Sequence, residues 1–271
     1  MENNKNLLKT GLVMMAIAWG LFMAASDYLC GDQKEREQLE NFLSKARIVR
    51  VSKGQAGGRT APWIVSLDDG RMKGRAIFKY VHRPRPAMIP DSYFYELAAY
   101  ELNKLLDLDI MPTVVARKLD GRNGSLQVML TGVITEAQRQ RKGLTPPDEE
   151  AFQQALAEVV VFENLVYDQC LDQDDILISP NTWQVWRIDF SESFAPVPEL
   201  LADCPIRRCS RELFNSLSRL DPGLLTNKVK SYLSEQEIEA LLKRKDLIIA
   251  AIKKLIEEQG EEAVLFTKKK N

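Results

Sequence analysis

The chain has 271 residues, enough to bury a core in one bilobal domain or two small ones. Its basic and acidic residues nearly balance, at a formal net charge of -1, which gives no basis for expecting a nucleic-acid partner. The composition is that of an ordinary globular protein.

Lys5 and Lys9 precede an uncharged apolar run, Gly11 to Ala25, which is followed by Ser26 and Asp27. This layout predicts a signal peptide with Ala24 and Ser26 at a cleavage site, or an uncleaved signal anchor that would hold the protein at a membrane. A buried core helix is the weaker reading, because the run is apolar on every face and lies at the extreme terminus. Lysines before the run place the rest of the chain on the exported, periplasmic or extracellular, side. Cys30 lacks the preceding small residues of a lipoprotein signal. Cys204 and Cys209 flank Pro205 and are expected either as a local disulfide in an oxidising compartment or as two separate thiols.

Residues 31–46 read as an amphipathic linker helix, with Leu39, Phe42 and Leu43 at helical spacing. Strands are predicted at Ile48–Val51, Trp63–Leu67 and Arg75–Val81, separated by a glycine-containing loop and the turn Asp68-Asp69-Gly70. Lys79 shares a face with Ile77, a position that suits a snorkelling lysine or a phosphate-binding one. His82, the one histidine, opens a proline-rich loop and reads as a surface residue. Ser92 to Leu108 has helical spacing, with Asp91 or Ser92 as N-cap and Glu96 early in the helix. Thr113–Lys118 and Ser125–Leu130 complete an expected five-stranded antiparallel sheet carrying one long helix. Gly132 to Asp148 reads as a connector or mobile insert.

The second half is predicted helical around one hairpin. Glu149–Tyr167 forms a helix with Phe152, Leu156, Val159, Val160 and Leu165 buried. An acidic loop with Asp168, Asp172, Asp174 and Asp175 then leads into the short strand Ile176–Ile178, and the alternating run Trp183–Ile188 ends at Asp189. A hairpin here brings Asp175 and Asp189 to the same end of a ribbon, where paired carboxylates suit Mg²⁺ and the phosphates it carries. The alternative is an acidic hairpin whose charges are merely solvated. Helices follow at Ser210–Arg219, Leu224–Tyr232 and Ser234–Glu258, the last opened by the capping box Ser234/Glu237. The remainder, from 261 to 271, is a tail whose Lys268-Lys269-Lys270 run is expected to be solvated.

Between about Ile48 and Ile256 the chain resembles a family of bacterial proteins related to phosphatidylinositol 3-/4-kinases and to HipA-like atypical kinases. The resemblance is carried by AIFKY (Ala76–Tyr80), SYFYELAAYELNKLLDLDIMP (Ser92–Pro112), GSLQVML (Gly124–Leu130), the central hairpin and CSRELFNSLSRL (Cys209–Leu220). It implies an α+β, bilobal protein-kinase-like fold with an N-lobe over 47–135 and a C-lobe over 149–260, joined by a connector at 136–148. ATP and Mg²⁺ are the implied cofactors. Lys79 would contact nucleotide phosphates with Glu96 as its ion-pair partner, Gln127 and Val128 would begin the hinge beside the adenine, and Asp175 and Asp189 would hold metal. The loop Gly54–Gly58 would cover the phosphates.

The chain departs from the family at its catalytic loop. An ungapped register puts Cys170 at the catalytic aspartate, Leu171 at the following arginine, Asp174 at a glycine and Asp175 at the metal-binding asparagine. Phe190 and Glu192 replace the histidine and arginine expected after Asp189. A thiol, with an ordinary pKa of about 8.5, is largely neutral at pH 7 and substitutes poorly for a carboxylate base. Asp168 or Asp172 would replace it only with a two-residue shift of the loop. Three readings therefore stand: a degenerate kinase-like (pseudokinase) protein that binds nucleotide, metal or a protein partner; an active atypical kinase phosphorylating a protein or small molecule; and a scaffold without nucleotide binding.

Overall fold

A computed structural model describes residues 33–56, 59–86 and 90–268. The expected signal or anchor segment and Cys30 lie outside them. No described helix is long and apolar enough to cross a membrane.

The N-terminal lobe begins with α1 (Gln33–Lys45), followed by β1 (Arg47–Ser52), β2 (Trp63–Asp68) and β3 (Lys73–Lys79). Two short strands, β4 (His82–Arg83) and β5 (Asp91–Ser92), pair before α2 (Tyr93–Leu105), and β6 (Val114–Leu119) and β7 (Arg122–Val128) close the lobe. The main sheet is antiparallel in the order β1-β2-β3-β7-β6, the five-stranded arrangement expected. Successive strand side chains point to opposite faces. Ala76 and Phe78 therefore face one way and pack with Val65, Leu126 and the α1 residues Leu39, Phe42 and Leu43. Arg117 fastens α1 there by donating to the carbonyls of Leu43 and Ala46, which satisfies helix-end acceptors. Ile77 and Lys79 face the opposite way.

The chain then forms β8 (Ile134–Thr135), α3 (Glu136–Arg141) and α4 (Glu149–Val166). The expected connector is thus partly regular. Thr135 and Gln138 form a reciprocal capping box that starts α3, and β8 pairs with the hairpin strand β9 (Ile176–Ile178). The partner strand β10 (Val185–Arg187) sets Arg187 opposite Ile176. It begins two residues later than expected because Trp183 adopts a left-handed backbone, φ 59°. After β11 (Cys209–Ser210) come α5 (Arg211–Arg219), α6 (Pro222–Val229), α7 (Glu235–Gln259), α8 (Glu261–Val264) and β12 (Leu265–Phe266). The tail region is not wholly solvated, since β12 pairs in parallel with β11 and Lys268 pairs with the buried Glu158 at 2.8 Å.

One large apolar core joins α2 to α4, the hairpin and the C-terminal helices. Within it the Arg244 guanidinium on α7 is fully buried and donates to the carbonyls of Leu165, Ala195 and Val197. Burial pulls its pKa down to about 10. This one side chain ties the end of α4 to the segment that follows the hairpin.

Candidate active site

Ser92 caps α2 by accepting from the Phe94 N–H, which starts the helix at a fixed point and places Glu96 in its first turn. From the facing strand Lys79 donates to Glu96 Oε1 at 2.5 Å and to Asp189 Oδ1 at 2.7 Å. Gly124 permits this approach of β7 to β3: a Cβ there would overlap the Lys79 carbonyl and stand 2.6 Å from Phe78 Cε2. Burial opposes charge on Lys79, but the Glu96 and Asp189 carboxylates outweigh it and hold the ammonium well above the ordinary lysine range. Burial raises the pKa of Glu96, whose second oxygen has no hydrogen-bond partner. Asp189 is also desolvated, yet Lys79 and a hydrogen bond from Ser191 Oγ at 3.0 Å keep its carboxyl below the usual range.

The hairpin delivers the second acid as expected. The Ile188 N–H donates to the Asp175 carbonyl at 3.0 Å, setting Asp175 and Asp189 at the same end of the ribbon. Behind them lies Arg187, only 1 % exposed. Its Nε donates to Glu163 and its Nη2 to Asp168, both at 2.9 Å, and Nη1 lies 3.5 Å from Asp175. Burial pushes Glu163 and Asp175 each up to about 7 despite the nearby guanidinium, and raises Asp168 as well. Glu96, Glu163, Asp168, Asp175 and Asp189 converge on Lys79 and Arg187, so acids outnumber cations.

The structure separates the catalytic-loop candidates. Asp168 is buried and bound to Arg187. Asp172 accepts from the Asp174 N–H at 2.9 Å, forming a local turn, and is not among the residues lining the cleft. Cys170 is disulfide-bonded to Cys204, with 5.4 Å between their Cα atoms. Neither alternative for Cys204 and Cys209, a local bridge or two separate thiols, is met, since Cys204 pairs elsewhere and Cys209 is free. Asn164 donates to the Cys204 carbonyl and accepts from the Leu201 N–H, which holds that loop beside the left-handed turn at Tyr167 that leads to Cys170. Cys209 is instead drawn into β11, where burial pushes its thiol up to about 12.

A cleft of about 560 Å³ runs between the lobes, within the range of small-molecule sites. Ile77, Val128, Leu130, Leu177 and Ile188 form its apolar part, and Lys79, Asp175 and Asp189 its charged part. Gln127 also lines it. The Val128 N–H is bonded to Thr113 O at 2.9 Å and the Met129 N–H to Arg75 O at 2.8 Å. Gly57 and Gly58 of the expected phosphate loop lie outside the described residues, but Arg59 is placed at the mouth, where it pairs with Asp91 and Glu192.

Two residues escaped the sequence reading. Arg187 interrupts a run of otherwise uncharged residues, a signal that a buried charge needs partners. Arg59 sits in a glycine-containing loop with no local pattern that names its partners.

No protein-family model matches this chain, and no curated protein matches it in sequence. Solved structures do. A hydra Fam20 structure described as containing sugar matches with a TM-score of 0.67 over 90 % of this chain and 99 % of its own, at 16 % identity. The Helicobacter pylori proinflammatory kinase CtkA matches with a TM-score of 0.53 over 79 % of this chain and 98 % of its own, at 12 % identity. The fold is kinase-like. At these identities the likeness concerns architecture, and within that architecture Lys79, Glu96 and Asp189 meet at one cleft.

Proposed function

We propose that this protein is a degenerate kinase-like module that binds a magnesium–nucleotide complex without transferring phosphate efficiently and acts through a protein partner. The observation that carries the reading is the Lys79 ammonium shared between Glu96 and Asp189 in the interlobe cleft. Asp175 and Asp189 offer hard oxygen donors, and the surplus of acid around two cations fits a divalent metal. Bound Mg²⁺ would offset phosphate charge. Gln127 and Val128 border the part of the cleft suited to a base, beside apolar Ile77 and Leu177.

The reading of weak catalysis rests on Cys170 and Asp168. The thiol is consumed in a disulfide, and Asp168 is held by Arg187 away from solvent. Neither is free to accept a substrate proton. The finer relation, to proteins related to phosphatidylinositol 3-/4-kinases and HipA-like kinases, rests on the stretches around Lys79, Glu96 and Asp189. Placement on the exported side, as a released or membrane-anchored protein, is supported by the N-terminal sequence and by a disulfide, which persists in oxidising compartments.

The test combines melting curves with a label-transfer assay. Mg²⁺ and ATP together should raise the melting temperature of the wild type but not of Lys79→Ala or Asp189→Asn, with γ-phosphate transfer at background against protein and small-molecule acceptors. Transfer well above background would establish the active-kinase alternative. Absence of any nucleotide effect would leave the scaffold reading.

A further inference from the structure

Arg59 stands between β1 and β2 and lines the cleft. Its Nη2 lies 3.2 Å from Asp91 and also pairs with Glu192. The two acids come from separate segments, Asp91 in β5 two residues before α2 begins and Glu192 three residues after Asp189. They also differ in environment. Asp91 is buried and has a second cation, Arg83, at 3.6 Å, whereas the Glu192 side chain is 40 % exposed and that of Arg59 46 %. Pairs this open to water contribute little to stability.

We propose, on the basis of the nucleotide reading above, that Arg59 recognises the terminal phosphate of a nucleoside triphosphate and that Glu192 is the acid this phosphate displaces. Lys79 already divides its charge between Glu96 and Asp189, so the phosphate chain calls for a further cation. A guanidinium presents parallel N–H donors that match two phosphate oxygens, and it stays charged at any physiological pH. The exchange leaves no buried charge unpaired, because Asp91 keeps Arg83 and Glu192 turns into solvent. It forms and breaks only hydrogen bonds and ion pairs. The chain thereby selects triphosphate over shorter phosphate chains.

Equilibrium binding of ATP, ADP and adenosine in Mg²⁺ to the full-length wild type, Arg59→Ala, Arg59→Lys and Glu192→Gln tests this, with melting curves recorded on each protein. Arg59→Ala should weaken ATP about tenfold and leave adenosine unchanged. Arg59→Lys should fall between, and Glu192→Gln should tighten ATP by a few-fold. Unchanged ATP affinity in Arg59→Ala, an equal loss for adenosine, or weaker ATP binding in Glu192→Gln would overturn the assignment. If Arg59→Ala does not fold, Arg59→Lys and Glu192→Gln decide the matter by the same criteria. A wild type that binds none of the three ligands overturns the nucleotide reading and this assignment together; a wild type that binds ATP beside an unaffected Arg59→Ala overturns only the latter.

Discussion

Cys170 is bonded to Cys204, so the loop that follows α4 is covalently tied to a segment 34 residues further along the chain. The bond closes the turn carrying Asp168, Asp172 and Asp175 onto the C-lobe.

Breaking this bond should destabilise the protein. A cross-link over a loop of this length contributes about 2–4 kcal/mol in small domains. Denaturant unfolding of Cys204→Ser, and of the wild type with reductant, should show a lower midpoint than the oxidised protein. Peptide mapping should recover Cys170 joined to Cys204, with Cys209 as a free thiol.

Arg187 should tolerate substitution badly. Arg187→Met leaves Glu163 and Asp168 buried without their cation, and removing one member of such a pair costs about 3–5 kcal/mol. Adding Glu163→Gln to Arg187→Met should recover part of the loss. A fully additive double variant in unfolding experiments would mean that the two side chains are not coupled.

Gly124→Ala should disturb the site without touching a charged group. The added methyl meets the backbone of Lys79 and the Phe78 ring, neither of which is a flexible side-chain tip. Stability should fall by about 1–3 kcal/mol, with ATP binding weakened in the protein that remains folded. Fluorescence-monitored unfolding and titration would measure the two effects separately.

Two opposite pH responses follow from the acids around Arg187. Glu163 takes up a proton more readily in the fold than its ordinary pKa of 4.5 allows, up to about 7, because burial disfavours its charge. The folded state therefore binds the extra proton in this window, and the contribution of Glu163 to stability is present below about 4.5 and lost as pH rises towards about 7. Glu163→Gln should flatten that slope. Metal binding runs the other way: protons compete for Asp175, raised to about 7, so Mg²⁺ affinity should increase from pH 6 to about pH 8, and Asp175→Asn should abolish the increase.

The five strands, the Glu96 helix and the meeting of Asp175 with Asp189 were legible because each follows from short-range periodicity and turns, whereas the insertion of β7 between β3 and β6 is a long-range pairing. Ile77 and Lys79 share a face by strand alternation alone, and a hairpin of two short runs must bring its outer ends together. The pairing of Cys170 with Cys204, the burial of Arg187 and the reach of Arg59 to Glu192 depend on contacts between segments far apart in the chain, which no local pattern encodes. The helix α3 was missed for a different reason. Its Thr135/Gln138 capping box is written in the sequence but stands inside a polar, proline-containing stretch that lacks the apolar stripe by which helices are recognised.

The cleft lined by Lys79 and Asp189 is proposed to take a magnesium–nucleotide complex. Isothermal titration calorimetry of the purified protein with ATP, in Mg²⁺ and in chelator, tests it most directly. Saturable binding that requires Mg²⁺ and is lost in both Lys79→Ala and Asp189→Asn is the predicted result. No heat of binding at millimolar ATP, or binding indifferent to Mg²⁺ and to both substitutions, would contradict it.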